Sequence, residues 1–169
     1  MGQSTGDIFN GAVEFISTGT YPMQVAFHDT TIFKMPVRIN CTSGGISFCN
    51  DTTVQAAVFQ EEAFLLVGST GITGGTITLK NIYQENTNAV NLTASGSTLI
   101  TVVNSTFNGK LTITSPGVLS KYSTYNDSTS FARTSNTTSA YQWEGGNTFN
   151  GVFTLTSTNS SSGVVRMAN

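Results

Sequence analysis

The sequence predicts an all-β fold, a parallel β-helix (β-solenoid) of about seven coils with roughly 22 residues in each coil. Three observations predict it: an apolar block recurs at a nearly fixed spacing, apolar and polar residues alternate within each block, and no helical spacing longer than two turns occurs. The block has a large apolar residue, then a polar residue, usually Gly, and then alternating apolar positions. It occurs at residues 9–15, 33–39, 73–79, 107–113 and 149–155.

The block is predicted to be a strand with one buried face. At residues 107–113, alternation places Phe107, Gly109 and Leu111 inside and Lys110 outside, because side chains on a strand have period two. A unit this short cannot cover its own apolar face, so successive blocks are expected to stack. The first rings of the Phe blocks should then lie above one another in a single core. These rings are Phe9, Phe33, Phe107 and Phe149.

The second half of each coil is predicted to be another short strand that ends in Asn or Asp. Such segments occur at residues 23–29, 46–51, 122–127 and 141–147. One coil is therefore expected to be strand, turn, strand, turn. Asn and Asp tolerate left-handed dihedrals and bond to nearby backbone at a turn, and stacked Asn residues form side-chain amide ladders.

Two stretches depart from the simple repeat. The interval between the junctions at Asp51 and Asn104 is long enough for two coils with an insertion near residues 81–95. Residues 55–66 fit either a short helix or two strands joined at residues 60–62, and the two strands preserve the period better.

Length and charge restrict the class of protein. The 169 residues are expected to form a single domain, residues 1–169. Only 9% of residues are charged and the net charge is -2, so there is no electrostatic reason to expect nucleic acid or an anionic membrane as partner. The sequence has no apolar run of about 18 residues, the length that a membrane-spanning helix needs, so no insertion into a membrane is expected. The repeat is interrupted at both ends, which predicts a fragment of a longer repeat array, with neighbouring coils as partners, or end-to-end self-association.

The two cysteines, Cys41 and Cys49, flank the sequence Ser-Gly-Gly at residues 43–45. If the chain reverses there, a disulfide between them is geometrically possible and implies an oxidising compartment. The alternative is two small buried thiols. The sequence leaves both possibilities open.

Ionisable side chains are too sparse to predict an enzyme. Glu61 and Glu62 are adjacent and would face opposite ways on a strand, which is typical of a polar turn. His28 is the only histidine and has no patterned Ser or Cys partner. No phosphate-binding loop, dinucleotide fingerprint or zinc spacing is present. We therefore expect no catalytic residues and no cofactor.

Three aspartates share one repeat position and could align their oxygens for Ca²⁺. They are Asp29, Asp51 and Asp127. Calcium takes six to eight oxygen ligands, and one carboxylate per coil supplies few of them. Capping of turns explains these residues better, so the sequence predicts no metal site.

Aromatic and threonine side chains are the candidates for contact surfaces. Tyr122, Tyr125, Tyr141 and Trp143 fall in the second strands of adjacent coils, where exposed rings would stack on sugars and buried rings would fill the core. Outward Thr pairs at 76/78, 112/114 and 154/156 would form a flat array of hydroxyl and methyl groups if their coils align, as needed to match an ordered lattice such as ice. Asn-x-Ser/Thr sequons are also frequent, at Asn40, Asn50, Asn91, Asn104, Asn126, Asn136 and Asn159.

The Phe-Asn-Gly blocks, the Asn/Asp-Ser/Thr-Thr junctions and the Thr-, Ser- and Asn-rich remainder resemble very large secreted surface proteins of Bacteroidetes, including gliding adhesins. The segments at residues 29–31, 51–53 and 127–129 also look like the sites that this phylum O-glycosylates in exported proteins. The resemblance implies sugar on Thr30, Thr52 and Ser128. It also implies display at the cell surface through that phylum's own secretion route.

These observations favour a non-catalytic extracellular stalk segment that is structural and adhesive, in contact with polysaccharide or another surface. Two alternatives stay open. One is a carbohydrate-binding or carbohydrate-active β-helix domain similar to a phage tail spike, which needs a groove lined by the aromatic residues and by acids. The other is ice binding through the Thr pairs.

Overall fold

The computed structural model describes residues 6–27, 29–49, 56–134, 142–143, 145–158 and 166–167, with the backbone alone for 142–143 and 166–167. The described residues contain no helix and form seven coils of parallel strands. The predicted parallel β-helix is confirmed, with about seven coils as expected.

Each coil contains three strands, with bounds as follows. The first three coils are β1 (Ile8–Phe9), β2 (Val13–Ser17) and β3 (Met23–Val25); β4 (Thr31–Phe33), β5 (Val37–Cys41) and β6 (Gly45–Phe48); and β7 (Ala57–Phe59), β8 (Leu65–Ile72) and β9 (Thr76–Lys80). The next two are β10 (Ile82–Gln84), β11 (Val90–Thr93) and β12 (Leu99–Val103); and β13 (Thr106–Phe107), β14 (Leu111–Ser115) and β15 (Gly117–Lys121). The last two are β16 (Thr124–Tyr125), β17 (Thr129–Arg133) and β18 (Gln142–Trp143); and β19 (Thr148–Phe149), β20 (Phe153–Ser157) and β21 (Arg166–Met167).

The strands stack into three sheets, not the two that a strand-turn-strand-turn coil predicts. Sheet A has the order β1-β4-β7-β10-β13-β16-β19, and sheet B the order β2-β5-β8-β11-β14-β17-β20. Sheet C has the order β3-β6-β9-β12-β15. Strands β18 and β21 pair with each other, and β18 lies beside β15. The coil is therefore a triangle around one core.

The extra corner lies inside the recurring block, at its Gly position. In the first coil, Phe9 ends β1 and Val13 begins β2, so the predicted single strand is two strands of different sheets. A side chain at Gly109 would place its Cβ 2.4 Å from the carbonyl oxygen of Asn88 in the coil before it. At Gly151 the Cβ would lie 2.4 Å from the carbonyl carbon of Asp127. The block carries Gly because this corner rests directly on the backbone of the preceding coil.

The predicted stacking of the Phe rings is confirmed. Sheet A pairs its strands in register, so that the last residue of each strand faces the core at the same level of the triangle. Neighbouring rings lie 4.9–6.0 Å apart between centroids. We call this column the aromatic ladder; its rings are Phe9, Phe33, Phe59, Phe107, Tyr125 and Phe149. Phe59 and Tyr125 were not predicted as members.

Two predicted segments belong to different sheets. The block at residues 73–79 contains β9 of sheet C, because the chain turns from sheet B at Gly75, which has φ of 76°. The segment at residues 122–127 contains β16 of sheet A instead of a second strand. In both cases alternation predicted a strand correctly and gave no indication of which sheet it joins.

The two ambiguous stretches are also resolved. Residues 56–66 contain β7 of sheet A and the first two residues of β8 of sheet B, with a turn at residues 61–62 between them, so the two-strand alternative is confirmed. The long interval divides into two coils at Asn81. In addition, β8 bulges: Ile39 pairs with Val67 and Cys41 with Ile72, which leaves residues 68–71 outside the ladder.

In coils 1–5, the residue that directly follows the strand of sheet C is left-handed. These residues have φ of 48–54° and are Ala26, Cys49, Asn81, Asn104 and Tyr122. The turn from β9 to β10 consists of Asn81 alone. A left-handed residue costs little for Asn and more for the others, so stacking with neighbouring coils determines this conformation.

The predicted amide ladders are confirmed at two corners. Between sheets C and A, Asn104 Nδ2 donates to Asn81 Oδ1 at 2.7 Å. Between sheets A and B, Asn126 Nδ2 donates to Asn108 Oδ1 and Asn150 Nδ2 donates to Asn126 Oδ1, both at 2.6 Å. Each Asn donates to the coil that precedes it in the chain, so the second ladder runs in one direction.

Gln84 interrupts the aromatic ladder between Phe59 and Phe107. Its side chain is 1% exposed, and its amide nitrogen donates to Asn88 O at 2.6 Å and to Asn86 Oδ1 at 3.0 Å. Its Oε1 accepts a hydrogen bond from the backbone of Gly109 at 3.3 Å. The buried amide therefore ties the corner of its own coil to the corner of the next one.

We predict that Gln84→Met destabilises the protein by about 1–3 kcal/mol, because it leaves buried partners of the amide without a hydrogen bond while keeping the side-chain volume. The free energy of unfolding in urea measures the effect. Gln24→Met is the matched control: Gln24 is exposed on the outer face of β3, so that change should be within about 0.5 kcal/mol of the parent. Equal stability of the two variants would contradict the role of the buried amide.

Candidate functional site

The predicted aromatic cluster is not one surface. Tyr122 is 61% exposed, and its ring lies over Gly146, where an added Cβ would come within 2.5 Å of Tyr122 Cδ1. Tyr125 is completely buried in the aromatic ladder, so a sugar ring cannot reach it and its assignment as a sugar-binding residue is wrong. Tyr141 and the side chain of Trp143 lie outside the described residues.

The buried hydroxyl of Tyr125 is held by a polar cluster inside the core. Tyr125 shares a hydrogen bond of 2.6 Å with Ser120 Oγ, which also donates to Asn147 Oδ1 at 2.8 Å. Asn147 Nδ2 donates back to Ser120 O at 3.0 Å. Burial raises the pKa of Tyr125 to about 12. Ser120 and Tyr125 are completely buried in this cluster, whereas Asn147 is half-buried.

The outward Thr pairs do not form one array. Thr76 and Thr78 lie on sheet C, whereas the other two pairs lie on sheet B and are separated by one coil. On sheet B, however, the outer face of coils 4–7 carries two aligned columns of small side chains. The columns are Asn91, Thr112, Ser130 and Thr154, and Thr93, Thr114, Ala132 and Thr156. We call this surface the sheet B array; it is neutral and has hydroxyl or methyl groups at nearly every position.

Sequence reasoning missed a column on the outer face of sheet A. Ile8 pairs with Ile32, Ile32 with Val58, and Val58 with Tyr83, so four apolar side chains line up outside the coil. Ile8 is 55% and Tyr83 45% exposed. Thr106, Thr124 and Thr148 continue the column. The alternation of apolar and polar residues would have revealed this column if the strands of sheet A had been distinguished from those of sheet B.

Asn40 ties the β8 bulge to the two coils before it. It is 1% exposed although it lies on the outer side of sheet B, because the bulge covers it. Its Nδ2 donates to Glu14 Oε1 at 2.5 Å, and its Oδ1 accepts from the backbone of Thr70 at 2.8 Å and of Gly71 at 3.2 Å. A sugar on this sequon would have no space, whereas Asn91, Asn104 and Asn126 are exposed.

The described carboxylates do not converge. Glu61 forms an ion pair with Lys34 at 3.0 Å at the corner between sheets A and B, and Glu62 is exposed in the same turn. Asp29 precedes β4 and Asp127 follows β16, so the two lie at different corners and do not share the repeat position that the sequence predicted. His28 and Asp51 lie outside the described residues. Within the described ranges, no three His, Cys, Asp or Glu side chains are grouped so that they could hold a metal ion.

Cys41 and Cys49 are both free, buried thiols, which is the second of the two alternatives. Cys41 Sγ donates to Gly74 O at 3.2 Å. Burial raises the pKa of Cys41, and it raises the pKa of Cys49 to about 11. Such thiols are protonated at neutral pH and are poor nucleophiles.

The predicted O-glycosylation sites differ in access. Thr30 is exposed, and Thr52 lies outside the described residues. Ser128 is half-buried, and its backbone nitrogen donates to Asp127 Oδ1 at 2.5 Å. Of the two described residues, Thr30 is the better placed to carry a sugar.

In the part of the chain that the structure describes, no helix has the length and apolarity needed to cross a bilayer. Comparisons with family models, with curated proteins and with solved structures found no match for the chain.

We predict that stability falls as the pH rises above 9.0, because the unfolded chain releases the Cys49 proton near that value while the folded chain keeps it up to about 11. Tyr125 extends the loss toward pH 12, since its pKa is also raised by burial. Urea unfolding at a series of pH values measures this. Cys49→Ala should flatten the lower part of the profile, and Ala26 occupies the same corner position with a similar φ. Tyr125→Phe should flatten the upper part. A profile that neither variant changes would contradict the assignment.

Proposed function

We propose that this chain is a non-catalytic structural and adhesive stalk segment of a large extracellular surface protein. The observation that carries the proposal is the single continuous core, around which sheets A and B run through all seven coils. Six steps of about 4.8 Å make the stack roughly 30 Å long. Repeated coils of this kind add length without a new core, which is what a spacer requires.

The outer surface supports the same proposal. With 9% charged residues, the chain presents mainly neutral hydroxyl and amide side chains. The described acids are in turns or isolated on strands, and the cysteine thiols are buried and protonated. Neutral polar groups suit a surface that contacts polysaccharide and water, and they offer no group activated for nucleophilic attack.

Secretion and surface display belong to the proposal as well. The Thr-, Ser- and Asn-rich composition and the accessible Thr30 fit a protein that is exported and glycosylated. The polysaccharide contact would involve Tyr122, whose ring is more than half exposed at a corner of the coil.

A panel of polysaccharides tests the proposal, with binding and bond cleavage measured on the same samples. We expect binding without release of new sugar ends, and weaker binding for Tyr122→Ala. Tyr21→Ala is the matched control, because Tyr21 is 85% exposed near the other end of the coil stack. Cleavage that is abolished by Glu61→Gln or Glu62→Gln would establish the carbohydrate-active alternative and overturn the proposal.

The sheet B array favours a second candidate function, binding to an ordered lattice of hydroxyl groups such as ice. Its columns repeat at the strand spacing of about 4.8 Å in one direction and at two residues, about 6.6 Å, in the other. β-branched Thr side chains are stiff, so they hold their hydroxyl and methyl groups in fixed positions.

For this second candidate we expect thermal hysteresis in solution that is lost in Thr112→Lys, because a Lys in the middle of the array lifts the surface off a flat lattice. Thr78→Lys is the control, since it places the same side chain on sheet C. No hysteresis for the parent chain, or equal loss in both variants, would exclude the array as an ice-binding surface.

A further inference from the structure

In the part of the chain that the structure describes, no strand covers the outer side of the first coil. Its core-facing residues Phe9, Val13 and Phe15 are only half-buried, whereas their partners in the second coil, Phe33 and Val37, are 0% exposed. Strands β1 and β2 are the last strands of sheets A and B on this side. Their outer backbone groups form a parallel edge that can accept one more coil.

For two residues of the first coil, no contact within the described chain explains the residue type. Gly11 occupies the corner that Gly109 and Gly151 occupy in later coils, but nothing lies within 4 Å of a Cβ built on it. Asn10 aligns with Asn108 and Asn150, and the described residues supply no partner for its exposed amide. Both are residues that a preceding coil requires.

The last coil has the complementary end. Phe149, Phe153 and Leu155 face the core and are half-buried. In the amide ladder, Asn150 donates to Asn126 and its own Oδ1 accepts nothing from the described residues. This end therefore offers a ring, an apolar strand and an amide acceptor at the positions where the first coil presents Phe9, Val13 and Asn10.

We propose that the chain associates head to tail with a second copy of itself, with coil 1 of one copy stacked on coil 7 of the other in the register of the internal coils. Phe9 stacks on Phe149, Val13 packs on Phe153, and Asn10 Nδ2 donates to Asn150 Oδ1. Gly11 lies against Gly151, which leaves room for the close corner. The proposal rests on the stalk proposed above and names its partner.

The chemistry of the two ends is compatible. The core-facing residues at the joint are uncharged on both sides, so no like charges meet. The joint is heterologous, since one end binds the opposite end of the next copy, and each step advances along the same axis. Such contacts do not close into a ring, so association produces open rods.

The experiment blocks one end at a time. Phe9→Glu blocks the coil 1 end, and Phe149→Glu blocks the coil 7 end. In both variants a carboxylate would be buried between aromatic rings, which is too costly for the joint to form. Sedimentation over a range of concentrations, with electron microscopy, should show rods for the parent chain. Each variant alone should be monomeric, and an equal mixture of the two should form a dimer and nothing longer.

A milder pair separates association from folding. Asn10→Asp should weaken association about tenfold, because its carboxylate faces the Asn150 acceptor, and leave the urea unfolding of the monomer unchanged. Gln24→Glu is the control on the exposed outer face of β3, and it should change neither. A parent chain that stays monomeric would overturn the proposed joint, and so would rods that persist in the Glu variants. Neither result bears on polysaccharide binding, which the Tyr122→Ala variant tests.

Discussion

The structure depends on one constraint: every coil must place its residues directly over the same positions of the coil before it. Parallel pairing about 4.8 Å apart brings like positions together, so a ring stacks on a ring and an amide bonds to an amide. The aromatic ladder and the two Asn ladders are consequences of this register. So is the recurrent Gly, since the corners approach each other as closely as the strands do.

The coil and its core were predictable because alternation survives at every level of the stack. The number of sheets was not, for a geometrical reason. The corner between sheets A and B has three residues in five coils and five residues in coils 3 and 4, always an odd number. In coil 1, Phe9, Gly11, Val13 and Phe15 therefore keep the same parity across it. A period of two therefore continues through the bend as if it were one strand. Gly11 was the only signal, and Gly also fits the interior of a narrow strand.

Two positions in the column of the aromatic ladder are occupied by residues that the sequence did not predict there. Tyr125 replaces Phe because Ser120 supplies a partner for its hydroxyl and is itself held by Asn147. Gln84 replaces a ring because neighbouring corners satisfy its amide. Neither substitution follows the Phe-Asn-Gly pattern. The candidate surfaces were harder still, since Thr, Ser and Asn are both good outer residues of a solvated strand and plausible contacts for a ligand. Only the pairing of strands separates the sheet B array from the unrelated Thr pair on sheet C.

The same constraint explains why the two ends of the stack are the most informative part of the molecule. Inside the stack, a corner Gly or Asn has a contact that accounts for it, as Gly109 has with Asn88. At coil 1, Gly11 and Asn10 keep the interior residue types where the described chain gives them no contact. An end that was meant for solvent would be expected to carry bulky polar or charged groups that interrupt pairing. Because the first coil instead repeats the interior chemistry, the proposed joint extends the rule that holds coil to coil from one chain to the next.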